Sequence, residues 1–185
     1  MKPSVKVALI CSVISAGIML VFFYNGKSDI WFSSGALVNI FLLLISIGVG
    51  VFLSKKKQSF TESPVLEDFK VTMQGGIVFT IMISLFTYFY YSNIEVNLLE
   101  KFKVEKLKEK HELIPNEAAY IEMQKNNPNY KDRTYMDFIE NEEDKGHFSM
   151  NAGIIGLGHA VVGMILTLFF SIFVTLILRK VVLRQ

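Results

Sequence analysis

One imidazole and two side-chain amides interrupt the apolar segments of this 185-residue chain, and they are its first candidates for chemistry. His159 lies in the last apolar segment, Asn39 in the second, and Gln74 near one end of the third. An imidazole titrates near neutral pH and can bind a metal, so His159 could respond to pH or ligate a cofactor. The structural alternative is a neutral imidazole that hydrogen-bonds to a neighbouring helix, and we expect that role for His159.

Residue groupings that would indicate an active site are missing from the sequence. The three histidines, His111, His147 and His159, include no pair at the i, i+4 spacing of a helical metal site. The acidic stretch 137–144 lacks the Asp-x-Asp-x-Asp-Gly spacing of a calcium loop, and no P-loop, dinucleotide-binding or nucleophile-elbow motif occurs. Cys11 is the only cysteine, which excludes an internal disulfide. We therefore predict a protein that is not an enzyme and that holds no cofactor or metal.

Four uncharged segments dominate the sequence and must position the three polar side chains. They cover residues 7–24, 30–53, 71–91 and 152–178, and each is long enough to cross the hydrocarbon core of a bilayer as a helix. The chain is 51% hydrophobic and only 19% charged, whereas soluble domains carry about a quarter charged residues. The sequence thus predicts an all-α polytopic membrane protein with four transmembrane helices, and it excludes a soluble enzyme or a nucleic-acid-binding domain.

Charge is divided unevenly between the segments that connect these helices. The N-terminal flank, the link between the second and third helices, and the C-terminal flank are net basic, whereas residues 92–148 are net acidic. Short basic flanks stay in the cytoplasm, so both termini are predicted to be cytoplasmic. Residues 92–148 then form a long extracytoplasmic loop. The aromatic run 88–91 falls at the same outer end, at the depth where amphipathic rings collect.

The long loop 92–148 carries helical patterns of its own. Residues 95–110 contain no helix breaker and pair acidic with basic side chains at helical spacing. A short helix is predicted over 116–125, and Thr134 and Asp137 have the spacing of a capping box before a further helix. Because large apolar side chains are few, we expect the loop to pack on the bundle or on a partner, or to stay partly mobile.

The link between the second and third helices carries two further predictions. Ser63 and Pro64 with following acidic residues indicate that the third helix begins near Pro64, with Ser63 as its cap and Pro64 as its first residue. Lys55, Lys56 and Lys57 are candidates for contact with anionic lipid headgroups, at about 1 kcal/mol per basic residue near the surface. The plainer interpretation is that these lysines only fix the topology.

Small residues recur at helical spacing along the last segment and predict close helix packing there. Burial of apolar side chains against lipid gives no net drive for association, so small residues that let backbones approach are informative. They could serve contacts inside the bundle, or the two adjoining rows could admit a helix from a partner or from a second copy. The candidate face consists of Ala152, Gly156, Ala160, Gly163, Thr167, Ser171 and Thr175.

Several short stretches suggest a family resemblance. They are the lysine run 55–57, the amphipathic stretch 66–71 before a glycine-bearing third segment, the Tyr-Phe-Tyr-Tyr exit at 88–91, and the final Leu-Ile-Leu-Arg-Lys at 176–180. With these features the chain resembles the bacterial domain-of-unknown-function family 4199, four-span proteins found chiefly in Bacteroidota. The resemblance implies a bacterial inner membrane, and it brings no established activity and no site residues.

Together these patterns favour a non-catalytic accessory or structural subunit of a bacterial inner-membrane protein complex. The expected partners are membrane lipids and other integral membrane proteins, or a second copy of the chain, and not nucleic acid. One alternative is a small transporter or channel component, in which His159, Asn39 and Gln74 would converge on a water-lined path. Another is a membrane scaffold for lipid-linked sugar or envelope metabolism. The lack of charge in all four segments argues against proton-coupled transport.

Overall fold

The computed structural model describes residues 1–58, 64–126 and 133–182 of the chain. Within these ranges the chain is helical and contains no strand. The helices are α1 (Pro3–Tyr24), α2 (Ser28–Lys57), α3 (Val65–Phe89), α4 (Val96–Leu113), α5 (Glu117–Asn126), α6 (Tyr135–Ser149) and α7 (Ala152–Ile177). Single π-helical turns extend α3 over Tyr90–Ile94 and α7 over Leu178–Val182. The predicted all-α fold is confirmed.

In the described part of the chain, four helices are long and apolar enough to cross a membrane, as the sequence predicts. They run over Pro3–Tyr24, Ser28–Lys57, Val65–Ile94 and Ala152–Val181, and each contains one of the four uncharged segments. The helices extend past the uncharged segments, because charged side chains at a membrane surface do not interrupt backbone hydrogen bonding. The chain therefore has the architecture of a multi-pass membrane protein.

The start of α3 differs in detail from the prediction. Pro64 occupies the N-cap position rather than the first helical position, and no side chain caps the helix there. Proline suits this place because it has no N–H to leave unbonded. Ser63, the predicted cap, lies outside the described residues. Asp68 falls in the first turn, as expected, but it is buried rather than exposed at the helix end.

The core of the bundle lies between α1, α2 and α3. Ala8, Leu43, Ile47, Phe79 and Ile83 form a buried apolar cluster in the middle of these helices. The tight link after α1 makes α1 and α2 an antiparallel pair. α7 packs extensively on α3 and only sparsely on α2, so it lies to one side of the core.

A second buried cluster closes the end of the bundle at which α1 ends and α7 begins, here called the aromatic end. Tyr90 and Tyr91 are buried there with Trp31, although the sequence placed their run at headgroup depth. The hydroxyl of Ser28 lies 3.2 Å from that of Tyr90 and donates to Glu95 Oε2 at 2.8 Å. Tyr90 and Tyr91 continue the buried face of α3, because they follow buried Thr87 at helical spacing, whereas Phe89 lies on the exposed face.

The segment between α3 and α7 contains the predicted helices α4, α5 and α6. At the start of α6 the Thr134 hydroxyl accepts from the Asp137 amide at 3.1 Å, and the Thr134 amide donates to Asp137 Oδ2 at 2.9 Å. The predicted capping box is confirmed. The hydrogen bond from the Thr134 backbone, followed by that with its hydroxyl, holds the pKa of Asp137 below its usual range.

Thr134→Ala removes the hydroxyl of this capping box and should loosen the first turn of α6. We expect hydrogen exchange of the α6 amides to become about fivefold faster, since a lost cap destabilises a helix by roughly that factor. Thr134→Ser keeps the hydroxyl and should exchange like the parent chain. The pKa of Asp137 is lowered in the fold, so its ionised carboxylate stabilises the folded chain. This stabilisation is present above the ordinary carboxyl pKa and is lost as the pH falls through the lowered value. Equal exchange in both variants would contradict the assignment.

Candidate functional site

The small residues of α7 lie against α3. A Cβ atom added at Gly163 would come within 2.6 Å of Thr80 Cγ2, and one at Gly156 within 3.0 Å of Tyr88 Cβ. The distance at Gly163 is shorter than real Cβ atoms show, and that at Gly156 is tighter than most Cβ contacts. Two pairs of threonine hydroxyls face each other across the same interface. The Thr80 and Thr167 oxygens are 3.3 Å apart, and the second pair lies nearer the C-terminal end of α7.

The candidate face on α7 is therefore used largely within the chain. Gly156, Thr167, Ser171 and Thr175 are buried, and Ala152, Ala160 and Gly163 are half-buried. The second hydroxyl pair joins Thr175 to Thr72 of α3 at 3.2 Å. Since Gly156, Gly163 and Thr167 all contact α3, this one neighbouring helix already accounts for much of the face.

Asn39 of α2 is tied to α1. Its side-chain oxygen accepts a short hydrogen bond from the hydroxyl of Ser15, which is fully buried. The amide nitrogen Nδ2 keeps two N–H donors and makes no hydrogen bond within the described part of the chain. Asn39 thus links α1 to α2 and still has donor capacity on its other side.

His159 of α7 bonds to its own helix rather than to a neighbouring one. Its Nδ1 lies 3.0 Å from the carbonyl oxygen of Ile155, so Nδ1–H donates to that oxygen. In this tautomer Nε2 is an acceptor, and it makes no hydrogen bond to any described residue. The expected bond to a neighbouring helix is therefore wrong: the first partner of the imidazole is the preceding turn of α7.

Asn39 and His159 meet in one groove. The groove has a volume of about 280 Å³ and opens to the side of the bundle between α2 and α7, with Phe79, Thr80 and Ile83 of α3 among its lining. Its surface is almost entirely apolar. Gln74, which the transporter alternative grouped with these two residues, is half-buried and does not line the groove. Gln74 therefore does not share this groove with Asn39 and His159.

A buried ion cluster joins three helices at the opposite end of the bundle, here called the basic end. The Lys55 ammonium of α2 pairs with Asp68 Oδ1 of α3, and Arg179 Nη1 lies 3.1 Å from Asp68 Oδ2. The side chains of Lys55 and Asp68 are only 3% and 1% exposed. One carboxylate thus holds two cations from helices on either side of it.

The ion cluster corrects the prediction for Lys55. Its ammonium is buried against Asp68, so Lys55 is not available to lipid headgroups, whereas Lys56 and Lys57 are exposed. The cluster could not be recognised in the sequence, because Asp68 fits the acidic first turn of a helix equally well. One feature of the sequence does indicate the cluster: Lys55, Asp68 and Arg179 lie at helix ends that the topology brings together.

A further groove, of about 670 Å³, lies between α4 and α6. Leu107, Leu113 and Phe148 are its apolar lining. The charged residues around them have both signs and comprise Lys106, Glu109, Lys110, Glu142, Asp144 and Lys145. Among the described residues, no group of three or more His, Cys, Asp or Glu side chains could hold a metal ion.

Asp68→Asn should strongly destabilise the bundle, since it leaves two buried or half-buried cations facing a neutral group. Removal of one member of a buried ion pair costs about 3 kcal/mol or more. The measurement is thermal or denaturant unfolding of the purified chain in mild detergent. Glu67→Gln, one residue earlier and exposed, is the matched control and should change little. Similar stability of the two variants would show that the cluster does not hold the helices.

Gly163→Leu should push α7 away from α3, because the new side chain would collide with Thr80. Overpacking of this kind costs about 1 to 3 kcal/mol. Gly17→Leu introduces the same side chain at an α1 position with no atom within 4 Å of the added Cβ, and it should unfold like the parent chain. If both variants unfold at the same temperature in detergent, the close α3–α7 contact is wrong.

Similarity to known proteins does not assign a function to this geometry. Comparisons with models of protein families, with curated proteins and with solved structures find no match to the chain. The resemblance to family 4199 therefore stays a prediction from the residues, and the function has to be inferred from the contacts and surfaces of the chain itself.

Proposed function

We propose that the chain is a non-catalytic accessory subunit of a bacterial inner-membrane protein complex, which it contacts through the segment between α3 and α7. The observation that carries the proposal is the exposure of large apolar side chains outside the four long apolar helices. Leu113 is 68% exposed, Met136 73% and Phe148 67%. Lipid explains exposed apolar side chains on a spanning helix, but on α4 and α6 they indicate a surface that another molecule covers.

The groove between α4 and α6 is the part of this surface best suited to a protein. Its apolar floor with a charged rim is the usual arrangement of a protein interface, in which apolar anchors are buried and polar groups surround them. The rim carries both signs, so it favours a mixed-charge protein segment over a uniformly anionic lipid surface. Glu142 pairs with Lys145 at 2.7 Å and lies 3.8 Å from Lys110, which connects α6 to α4 at the rim.

The proposed topology follows from charge. Both termini and the link between α2 and α3 lie on the cytoplasmic side, and α4 to α6 lie outside, because the basic flanks Lys55–Lys57 and Arg179–Lys180 belong to one end of the bundle. Exposed Lys56 and Lys57 fit a headgroup region on that side. The proposed partner is accordingly a membrane protein with an extracytoplasmic segment, or a second copy of the chain.

Phe148→Ser should release the partner. An aromatic anchor at the centre of an interface contributes about 2 kcal/mol or more, which corresponds to roughly thirtyfold weaker binding. The full chain and its variants would be purified from the native host in mild detergent, and the associated membrane proteins quantified by mass spectrometry. Glu140→Ser, at an exposed position of α6 that does not line the groove, is the control. A solitary monomer, or a partner retained equally by both variants, would contradict the proposal.

A further inference from the structure

The groove between α4 and α6 is bounded by two helices that run in opposite directions. Lys103 Nζ of α4 lies 2.7 Å from His147 Nε2 of α6, and further along α4 Lys110 Nζ lies 3.8 Å from Glu142 Oε2. Residue numbers therefore rise along α4 where they fall along α6. Between these two contacts, the middle of the α4 wall lies level with the middle of the α6 wall.

The two walls of this groove carry opposite net charge. α4 contributes two cations and one anion to the lining, whereas α6 contributes two anions and one cation. The contrast extends over the whole helices, since α6 has five acidic residues and one lysine, and α4 has five lysines and four glutamates. The groove thus has a basic wall on α4 and an acidic wall on α6.

Lys106 and Asp144 are the charges of these walls that lack an opposite charge. Both line the groove and both are exposed, and neither forms an ion pair within the part of the chain that the structure describes. Glu142, by contrast, already pairs with Lys145. Lys106 lies about midway between the two α4 contacts and Asp144 about midway between the two α6 contacts, so the two residues are level with each other.

A two-fold axis can lay this groove on the same groove of a second copy in two ways. An axis across the helices places α4 on α4 and α6 on α6, which opposes walls of like charge. An axis parallel to the helices places α4 of each copy on α6 of the other, which opposes walls of unlike charge. The second arrangement also keeps neighbouring helices antiparallel, as in up-down helix bundles. Charge therefore selects the axis parallel to the helices.

We propose that a second copy of the chain closes this groove, so that α4 and α6 of two chains form a four-helix bundle. Rotation about an axis parallel to the helices keeps every residue at its own height, so residues that are level within one chain meet across the interface. Lys106 of each copy accordingly pairs with Asp144 of the other. The apolar lining, which includes Leu107 and Phe148, is buried between the copies.

A second copy suits the groove better than an unrelated protein does, because the groove supplies both halves of the charge pattern that it needs. Its basic wall is the complement of its acidic wall, and the unpaired members of the two walls lie at one height. The inference rests on the proposed role of this segment as a contact surface, and it names the molecule that covers the groove.

The test exchanges charges between two chains. Lys106→Glu and Asp144→Lys should each weaken self-association of the full chain about tenfold, because each sets like charges against one another at two symmetric positions. An equal mixture of the two variants should associate as tightly as the parent chain, since the new carboxylate of one chain then faces the new ammonium of the other. Mixing can restore only a contact between chains.

The measurement is native mass spectrometry in mild detergent over a series of protein concentrations, with tags of different mass on the two variants. Lys108→Glu on α4 and Glu143→Lys on α6 are the matched controls. Both positions are exposed and neither lines the groove, so both variants should self-associate like the parent chain.

Two results would overturn the proposal. One is a mixture of Lys106→Glu and Asp144→Lys chains that associates as weakly as either variant alone. The other is a parent chain that stays monomeric at every concentration. If that monomer still carries a different membrane protein that Phe148→Ser releases, the second copy is wrong and the accessory role stands, whereas a solitary monomer contradicts both.

Discussion

The close contact between α3 and α7 is the interaction on which the rest of the bundle depends. Lipid tails are as apolar as leucine, so helices in a bilayer associate through close packing and hydrogen bonds rather than through burial of apolar surface. Here Gly156 and Gly163 allow that approach, and paired threonine hydroxyls cross the interface. α7 packs mainly on α3, and its contact with α2 is sparse. The lateral groove is the direct consequence.

Both ends of the bundle are held by polar contacts that satisfy buried groups. At the basic end Asp68 accepts from cations on α2 and on the turn after α7. At the aromatic end Ser28 connects α2 to Tyr90 and Glu95 just beyond α3. A buried ion cluster adds little net stability over an apolar replacement, but it penalises any arrangement that separates its members. Such contacts therefore select one register of the helices.

Local features of the chain could be predicted from sequence, and features that join distant segments could not. Hydropathy located the four long helices, and the Thr134 capping box was visible because its residues are neighbours. The pairing of Lys55 with Asp68 depends on a link whose path the sequence does not define. Likewise Asn39 and His159 were recognised singly, but their shared groove depends on α7 lying against α3 rather than α2.

The most direct test of this arrangement is cysteine cross-linking between α3 and α7. With Cys11→Ser as background, Thr80→Cys and Thr167→Cys place two thiols where two hydroxyl oxygens now lie 3.3 Å apart. Mild oxidation should join them almost completely. Thr80→Cys with Leu168→Cys, whose side chain is exposed on α7, should remain reduced. A disulfide in the second pair and none in the first would contradict the packing of α7 on α3, and with it the groove.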